Sequence, residues 1–353
     1  MVSHIRLQHF RSYRDTSFRF GNAVNIIVGA NATGKTNLLE ALLVMARGSS
    51  YRARDSELIA FGDDWARIDA GLDVENEQRV VKLQRLDHET AHVSKSFEIN
   101  QQSLKRLHRI RSLPVVLFEP NHLLQLSSLP ELRRNFLDDL AEQIEPSFAA
   151  LRQHYRRVLI QRNALLKQPT IDLSAQLFVW DLRLSELGGK IAKTRLELIE
   201  RCNAQLTDIY RELVDAPEVI SLRYYTPFTG DYESQLLNRL EQDHRLDVAR
   251  GFTAHGPHRD DLMILLNDHS LQTAASRGET RSVVLALKII ELHLLEQMGG
   301  IKPMLLLDDV FSELDSRRRE ALTHFVAKYQ AFITTTDAAD VSRSFASRTI
   351  IRL

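Results

Sequence analysis

The sequence has 353 residues, enough for a large hydrophobic core and ordinarily for two domains. Lysine plus arginine and aspartate plus glutamate both number 46, so the formal net charge is zero and any nucleic-acid surface must be a local patch. The single cysteine, Cys202, excludes an internal disulfide. The first residues lack a secretory apolar core, and no apolar run approaches the roughly 18 residues of a membrane span. We therefore expect a reducing, cytoplasmic setting and no membrane partner.

The beginning of the chain predicts strands, a loop and a helix in that order. Residues 1–28 alternate between apolar and polar side chains, which predicts two or three short strands. The apolar run 24–28 is typical of a buried strand, and residues 38–45 continue as an apolar helical stripe.

Between that strand and that helix, residues 29–36 match the phosphate-loop pattern of Gly, four residues, Gly, Lys and Ser or Thr. Gly29 and Gly34 allow the tight turns that aim backbone N–H groups and a helix N-terminus at phosphates. Lys35 would hold the β and γ phosphates, and Thr36 would offer its hydroxyl to Mg²⁺. The flanking strand and helix argue against a chance match. The candidate nucleotide-binding residues are Gly29, Ala30, Asn31, Ala32, Thr33, Gly34, Lys35, Thr36 and Asn37.

The middle of the chain changes character. Residues 66–74, 79–86 and 96–99 alternate and predict an antiparallel meander, followed by a buried strand over 113–118. From Pro120 to about Asp215 the chain carries helical stripes over 132–144, 148–166 and 175–213. Gln168-Pro169-Thr170 breaks two of these helices, which could pack as an antiparallel hairpin arm.

The last third returns to an α/β pattern. After a strand over 219–225 and a helix near 234–242, the apolar segments are 263–266, 283–295, 304–307 and 332–335. We therefore predict an α/β fold: a phosphate-loop ATPase head with a mixed sheet and an antiparallel meander, plus a helical arm or lid. The predicted division is head residues 1–119, arm 120–249 and head 250–353.

Two acids end one of the predicted core strands. Asp308 could complete the Mg²⁺ shell with Thr36, and Asp309 could polarise the attacking water. Taken alone, the pair could be a solvated strand end. Together with the phosphate loop, it favours a nucleotide-hydrolysing site.

Two local stretches are basic and contain no acid, residues 101–118 and 148–167. On a helix Arg152, Arg156 and Lys167 share one side and could track DNA phosphates without reading bases, although a solvated face is an equal alternative. Arg162 lies within the apolar stripe, which predicts a buried partner of an acid or carbonyl.

Several motifs occur together over nearly the whole chain. They are Phe10-Arg11-Ser12-Tyr13, residues 29–37, Arg133-Arg134-Asn135-Phe136-Leu137-Asp138, Gln161-Arg162-Asn163-Ala164, His255-Gly256-Pro257-His258-Arg259-Asp260-Asp261-Leu262, Ser276-Arg277-Gly278 and residues 305–315, which end in Ser312-Glu313-Leu314-Asp315. In this order they resemble the RecF family, repair ATPases of the ATP-binding-cassette class.

The resemblance implies a head-to-head dimer that closes over ATP and Mg²⁺. Ser276, Arg277 and Gly278 of one subunit would complete the γ-phosphate site of the other, and Asp315 would lie at the seam. Ser276 could also be an ordinary helix N-cap, and both roles can hold at once; the alternative for Asp315 is a capping or surface acid. The resemblance also implies binding to single- and double-stranded DNA without sequence preference, and work with RecR, RecO and RecA in repair, replication restart and the SOS response.

Departures from the family pattern bear on affinity and rate. Ala32 and Thr33 replace an expected Asn-Gly pair, and Glu279 replaces the usual Gln. Asp309 is one methylene shorter than the Glu of transport cassettes, and residues 334–337 lack their switch His, so we expect slow hydrolysis. Gln101, Gln102 and Gln125 are equal candidates for the Gln loop; the roles of Arg52 and of residues 255–262 stay open.

Two other functions share parts of the pattern. The ATPase subunit of a transporter has the same head but would lack the helical arm and would need a coupling surface for a membrane partner. A small-molecule phosphoryl transferase also uses a phosphate loop, but it leaves residues 276–278 and 312–315 without a role.

Overall fold

The computed structural model describes residues 1–73, 76–87, 92–119, 126, 129–168, 174–215, 217–299, 302–337 and 341–353. The chain forms two compact units: Met1–His122 with Glu291–Leu353, and Leu123–Ile290. The second boundary differs from the predicted one at 249/250, because residues 250–290 pack with the helical segment. The functional limits of the domains stay a prediction.

The regular elements follow the predicted order. The strands are β1 (Val2–Phe10), β2 (Tyr13–Arg19), β3 (Val24–Val28), β4 (Trp65–Leu72), β5 (Gln78–Arg85), β6 (Val93–Ile99), β7 (Gln102–Leu104), β8 (Val115–Phe118), β9 (Ile220–Tyr225), β10 (Asp261–Leu266), β11 (His269–Ser270), β12 (Met304–Asp308), β13 (Ala331–Thr335) and β14 (Arg348–Arg352). The α-helices are α1 (Lys35–Arg47), α2 (Asp55–Leu58), α3 (Pro130–Ile144), α4 (Pro146–Leu166), α5 (Ser174–Val214), α6 (Tyr232–Gln242), α7 (His244–Arg250), α8 (Leu271–Ala274), α9 (Arg277–Gly299) and α10 (Ser316–Val326).

A five-stranded parallel sheet forms the centre of the first unit, in the order β14-β3-β13-β12-β8. Its three inner strands, β3, β13 and β12, are almost continuously buried, as expected for parallel strands covered on both faces. Parallel strands end at the same edge of a sheet. Val28, Asp308 and Thr335, the last residues of these strands, therefore meet at one edge.

The antiparallel strands form a separate six-stranded sheet in the order β2-β1-β4-β5-β6-β7. Helix α1 is buried almost all round, and its side chains belong to one apolar cluster with side chains of both sheets. The predicted α/β class with a meander is confirmed. The parallel and antiparallel strands, however, belong to two sheets rather than to one.

The second unit contains the predicted helices and a small antiparallel sheet, β11-β10-β9. Helices α4 and α5 run antiparallel, since Arg162 pairs with Asp181 and Leu166 packs against Leu177. The predicted break at Pro169-Thr170 lies outside the described residues. Among the helices that the structure describes, none is both long and apolar enough to cross a membrane.

Candidate nucleotide-binding site

The predicted phosphate loop connects β3 to α1. Gly34 has φ 106°, and a Cβ atom at this position would lie 2.9 Å from the Tyr13 hydroxyl. Both the backbone angle and the lack of space for a side chain therefore require glycine here. That hydroxyl donates a hydrogen bond of 3.1 Å to the Gly34 carbonyl. Ala32 also has a left-handed φ of 66°, while the Thr33 hydroxyl donates to the Ala30 carbonyl at 2.9 Å. The loop therefore keeps a closed turn at Ala32 and Thr33, the two residues that depart from the family pattern. Ala32 adopts a backbone region that glycine adopts more easily.

The ammonium group of Lys35 lies inside this loop. Its Nζ donates to the carbonyl oxygens of Gly29 at 2.7 Å and Ala30 at 2.8 Å, and the residue is 9% exposed. A lysine in the first turn of a helix, where backbone N–H groups also attract anions, is suited to bind the β and γ phosphates of a nucleotide. The loop therefore fits the anion that the sequence predicts.

The two acids stand at the adjacent strand end, and their environments differ. Oδ1 of Asp308 accepts hydrogen bonds from Thr36 Oγ1 at 3.0 Å and Thr334 Oγ1 at 2.7 Å. Asp309 has φ 53°, and its backbone N–H donates to Thr334 Oγ1 at 2.9 Å. Oδ1 of Asp309 is buried and has no hydrogen-bond partner among the described residues. Asp308 and Thr36 form a hard-oxygen pair that fits Mg²⁺, because this ion takes few protein ligands besides phosphate and water.

A cavity of about 440 Å³ brings most of the predicted residues together. Its lining residues are Asn31, Ala32, Gly34, Lys35, Thr36, Asn37, Arg52, Asp308 and Asp309. Gly29, Ala30 and Thr33 belong to the loop but do not line this cavity. Among the described residues, no group of three or more His, Cys, Asp or Glu side chains could hold a metal ion by itself.

A buried carboxylate beside the cavity was not predicted from the sequence. Glu40 on α1 is fully buried and accepts two hydrogen bonds from Arg11, at 2.8 and 3.0 Å, and one from Arg52 at 3.0 Å. Burial raises the pKa of Glu40, but hydrogen bonds from Arg11, Arg52 and Ser50 outweigh it and lower this pKa below its usual value. Arg52 also donates to Asn37 at 2.9 Å. Glu40 thus fixes Arg52 at the cavity wall.

The comparisons with known proteins agree with this geometry. Residues 1–351 match the family model described as RecF/RecN/SMC N terminal domain. A protein of Halothermothrix orenii named DNA replication and repair protein RecF is 35% identical over 350 residues, covering 95% of this chain and 92% of the relative. The protein of the same name from Acetivibrio thermocellus is 35% identical over 347 residues, with 95% and 93% covered. The chain belongs to the RecF family.

Solved structures agree with this assignment. The structure of the recombination mediator protein RecF-ATPrS in the RecFOR pathway is 29% identical, with a TM-score of 0.87 and coverage of 97% of this chain and 94% of that one. The RecF-ATP structure of the same pathway is 28% identical with a TM-score of 0.85, covering 96% and 93%. An Smc head bound to a winged-helix domain of ScpA, at 15% identity and a TM-score of 0.55, shares the fold alone.

The RecF signature segment lies in the second unit, at the start of α9. The Ser276 backbone N–H donates to Glu279 Oε2 at 2.7 Å, and the Glu279 N–H donates to Ser276 Oγ at 3.3 Å. This reciprocal pair is a capping box. Either glutamate or glutamine can accept the bond from the N-cap backbone, so Glu279 can replace the expected glutamine in this role. Arg277 and Gly278 form the first turn of the helix. The predicted roles of Ser276, Arg277 and Gly278 in a second subunit stay predictions.

Asp315 caps another helix of the RecF fold. Its Oδ1 accepts from the backbone N–H of Arg318 at 2.9 Å, and its other oxygen pairs with the Arg318 guanidinium. The hydrogen bond from the backbone of Arg318 lowers the pKa of Asp315. The capping alternative is therefore present in one subunit, and the seam role stays a prediction.

Arg152, predicted to contact DNA, is held in internal ion pairs. Its guanidinium lies 3.1 Å from Asp138, 3.5 Å from Asp139 and 3.0 Å from Glu142, and it donates to Asn135 at 3.1 Å. We therefore withdraw Arg152 as a DNA contact, because its charge is already compensated. Arg156 of the same helix and Lys167, the residue that caps its C-terminus, are exposed, and their DNA contact stays a prediction.

The other RecF motifs of the second unit build buried polar contacts. Arg162 is fully buried between Asp181 at 2.5 Å and Asp247 at 2.7 Å, so its predicted role as a buried partner of an acid is confirmed. Arg195 forms two hydrogen bonds to Asp138, at 2.8 and 2.9 Å, and donates to the Pro257 carbonyl at 2.7 Å.

Residues 255–262, whose role the sequence left open, form part of that buried framework. Asp260 accepts from the hydroxyls of Tyr224 at 2.7 Å and Tyr232 at 2.5 Å, and Asp261 pairs with Arg133 at 2.5 Å. Burial raises the pKa of Asp260. The motif therefore ties helices α3 and α6 and strand β9 together.

The Gln loop of the family stays unassigned. Gln101 lies in a turn with φ 67°, and Gln102 begins β7 and accepts from Arg111 at 3.2 Å. Gln125 lies outside the described residues.

Proposed function

We propose that this chain is a slow ATPase of the RecF type, in which ATP with Mg²⁺ closes a homodimer on DNA and hydrolysis releases it. The observation that carries the proposal is the single cavity shared by Lys35, Thr36, Asp308 and Asp309 in a member of this family. Solved RecF structures with ATP and ATPrS support the choice of nucleotide.

The chain's own residues divide the work of the site. Lys35 and the N-terminal turn of α1 bind the β and γ phosphates, while Thr36 and Asp308 hold Mg²⁺. Held by these two residues, Mg²⁺ would supply positive charge that compensates the charge of the phosphate oxygens. Asp309 orients the attacking water and accepts its proton, and its buried Oδ1, which has no partner among the described residues, is the acceptor for that task.

The second subunit completes the site. Ser276, Arg277 and Gly278 present the N-terminus of α9 to the γ phosphate, since a helix N-terminus favours negative charge. Asp315 lies at the seam between the subunits and relays between the two sites. ATP then acts as a switch ligand, because it stabilises one association state.

Slow hydrolysis follows from the acids themselves. Asp309 is one methylene shorter than the glutamate of transport cassettes. Residues 334–337, at the end of β13 and directly after it, also contain no switch histidine. The hydrolysis step therefore serves timing rather than turnover. A dimer that hydrolyses slowly stays closed on its DNA long enough to recruit partners.

The DNA is single- or double-stranded and is bound without sequence preference, near single-strand gaps and duplex junctions. In this setting the dimer works with RecR and RecO to help load RecA during recombinational repair, replication restart and SOS induction. The names of the relatives and the RecFOR pathway of the solved structures support this role. Chromosomal DNA as the substrate also favours a cytoplasmic location.

The test is the light-scattering mass of Asp309→Asn protein with Mg²⁺, recorded with and without ATP. This substitution blocks hydrolysis but leaves Lys35 and Thr36 to bind nucleotide. The expected result is a doubling of mass with ATP. The doubling should disappear in the Asp309→Asn/Ser276→Arg protein, because the added side chain would occupy the space of the partner's γ phosphate.

The outcomes separate the proposal from its rivals. A mass that stays monomeric although ATP binding is measured by calorimetry would contradict the switch and favour the phosphoryl transferase. Hydrolysis by pure wild-type protein that DNA stimulates would exclude the transporter subunit. Lys35→Ala is the matched control, since it should remove ATP binding and dimerisation together.

A further inference from the structure

Several exposed cations of the second unit, Arg157, Arg245 and Arg277 among them, form no side-chain ion pair or hydrogen bond with the described residues. Four further ones belong to helix α4 with its C-terminal cap and to residues 250–259. They are Arg156, Lys167, Arg250 and Arg259. Within the described part of the chain, none of the four side chains forms an ion pair or hydrogen bond. Most other cations of the unit do: Arg133, Arg152, Arg162, Arg195 and Arg239 are all paired with carboxylates.

Two of the four cations come from one stripe of helix α4. Arg156, Ile160 and Asn163 follow the spacing i, i+4 and i+7 along one side of the helix, and Lys167, its C-terminal cap residue with helical backbone angles, continues that side at i+11. Asn163, between the two cations, accepts hydrogen bonds from the backbone N–H of Thr253 at 2.9 Å and from its hydroxyl at 2.7 Å. The stripe therefore borders the segment that follows α7.

That segment brings the other two cations to the same border. Gly251, next to Arg250, lies so close to Lys167 that a Cβ atom built on it would be 3.7 Å from the Lys167 Cγ. The guanidinium of Arg259 stacks over the ring of Phe252 at 4.9 Å, and Phe252 is 40% exposed. Arg259 thus contacts an exposed aromatic ring, and Lys167 and Arg250 lie beside Gly251, the residue that precedes this ring.

The backbone beneath this surface is fixed by buried contacts. Nε2–H of His258 donates to the Thr253 carbonyl at 3.1 Å, and Nδ1 of the neutral ring accepts from the Tyr155 hydroxyl at 2.7 Å. The neighbouring acids face inward: Asp247 pairs with Arg162, and Asp243 pairs with Arg239 and His255. The backbone that carries these cations is therefore fixed, and no carboxylate of the described residues pairs with any of the four.

We infer that Arg156, Lys167, Arg250 and Arg259, together with Phe252, form a surface that binds the phosphate backbone of DNA. The inference rests on the proposed function for the identity of the polyanion. Arginine and lysine side chains of this kind bind phosphates without reading the sequence. A single aromatic ring does not make a stacking run, so duplex and single strand should both be bound through their phosphates.

The experiment compares two double variants with the same change of net charge. Lys167→Glu/Arg250→Glu reverses two cations of the surface. The control, Lys193→Glu/Arg223→Glu, reverses two exposed cations of the same unit that are loosely paired, at 3.9 Å to Glu197 and 3.7 Å to Asp268. Fluorescence anisotropy with a labelled duplex and a labelled single strand of equal length measures affinity over a salt series.

We expect Lys167→Glu/Arg250→Glu to bind both DNAs roughly tenfold more weakly than wild type, with a salt slope shallower by about two because two phosphate contacts are lost. The control should stay within about twofold of wild type. Equal losses in both variants would overturn the inference, since they would reflect net charge alone. Unchanged DNA binding would also overturn it and would leave an acidic protein surface as the occupant.

The mass of both variants with ATP is recorded in parallel, to separate this inference from the proposed function. Weak DNA binding by a variant that still dimerises with ATP supports the surface. Wild-type protein that binds no DNA contradicts the proposed function itself. Arg156→Ala/Arg259→Ala, which adds no negative charge, repeats the test on the other two cations and should give a loss in the same direction.

Discussion

The hydroxyl of Thr334 donates a 2.7 Å hydrogen bond to Oδ1 of Asp308 and accepts one of 2.9 Å from the backbone N–H of Asp309. Thr334 is fully buried at the end of β13. One side chain therefore orients both acids of the site, the proposed metal ligand and the proposed base. The sequence pointed to residues 334–337 only because they lack a switch histidine, not because of this hydroxyl.

Thr334→Val should separate hydrolysis from nucleotide binding. The shape is kept but the hydroxyl is lost, so the hydrolysis rate should fall roughly tenfold or more as Asp308 and Asp309 lose their common partner. The affinity for ATP should change less than about threefold, because Lys35 is untouched. Single-turnover hydrolysis and calorimetry measure the two effects, and Thr334→Ser should restore the rate. Equal loss of binding and rate would show that Thr334 supports the whole loop rather than the acids.

Glu279→Gln should strengthen ATP-dependent dimerisation. Glutamine keeps the capping box with Ser276 but removes a negative charge from the turn that would face the γ phosphate of the partner. The ATP concentration at half-maximal dimerisation should fall by about two- to fivefold, corresponding to a helix-terminus charge term of about 0.5–1 kcal/mol. Light scattering over an ATP titration measures it. Glu279→Ala, which loses the cap, is the control, and a rise in the midpoint for Gln would contradict the role of α9 in trans.

Arg162→Met should destabilise the second unit strongly. Asp181 and Asp247 are 0% and 1% exposed in their side chains, and the substitution leaves both without their buried cation. The expected loss is about 3–5 kcal/mol in the free energy of unfolding. Denaturant unfolding followed by circular dichroism measures it. Arg157→Met, on an exposed position of the same helix, should change stability by less than about 0.5 kcal/mol.

The stability of the chain should fall between pH 6.5 and pH 4 through His258. Burial, reinforced by the nearby cations Arg259, Arg134 and Arg195, lowers the pKa of His258 to about 4. The unfolded chain takes up a proton near its ordinary pKa of about 6.5, whereas the folded chain does so only near 4, so acid favours unfolding. The loss is up to roughly 3 kcal/mol and is complete below pH 4.

The matched variant for this prediction is His258→Gln, which has a donor and an acceptor but no titration in this range. Its stability should depend less steeply on pH than that of wild type between pH 6.5 and pH 4. Thermal unfolding at a series of pH values gives both curves. Parallel curves would show that His258 binds its proton equally well in the folded and unfolded states.

The elements and the centre of the site were predictable because their signals are local. Three signals each lie within a short window of sequence: the phosphate-loop pattern that ends in Lys35 and Thr36, the apolar strand before Asp308, and the helical stripes of the second unit. The parallel sheet then brings the ends of β3, β12 and β13 to one edge, as parallel topology requires.

The contacts that tune the site were not predictable, because they join residues far apart in the chain. Glu40 meets Arg11 and Arg52 only when α1 packs beside β1, and Thr334 meets Asp308 only through the pairing of β12 with β13. The prediction that Arg152 contacts DNA also missed contacts from another part of the chain. Its helical spacing was right, but the carboxylates that neutralise it come from α3, which a single-helix pattern does not include.

The loop carbonyls of Gly29 and Ala30 give Lys35 two acceptors of its own. These bonds use two of the three N–H donors of the ammonium group, so an anion that enters can bind the third and must displace a neutral carbonyl oxygen for each further one. Charged acceptors form hydrogen bonds about twice as strong as neutral ones, so the advantage of the exchange grows with the number of anionic oxygens that reach the loop. The two loop carbonyls thus favour the binding of a triphosphate over that of small singly charged anions, because a triphosphate offers more anionic oxygens to Lys35.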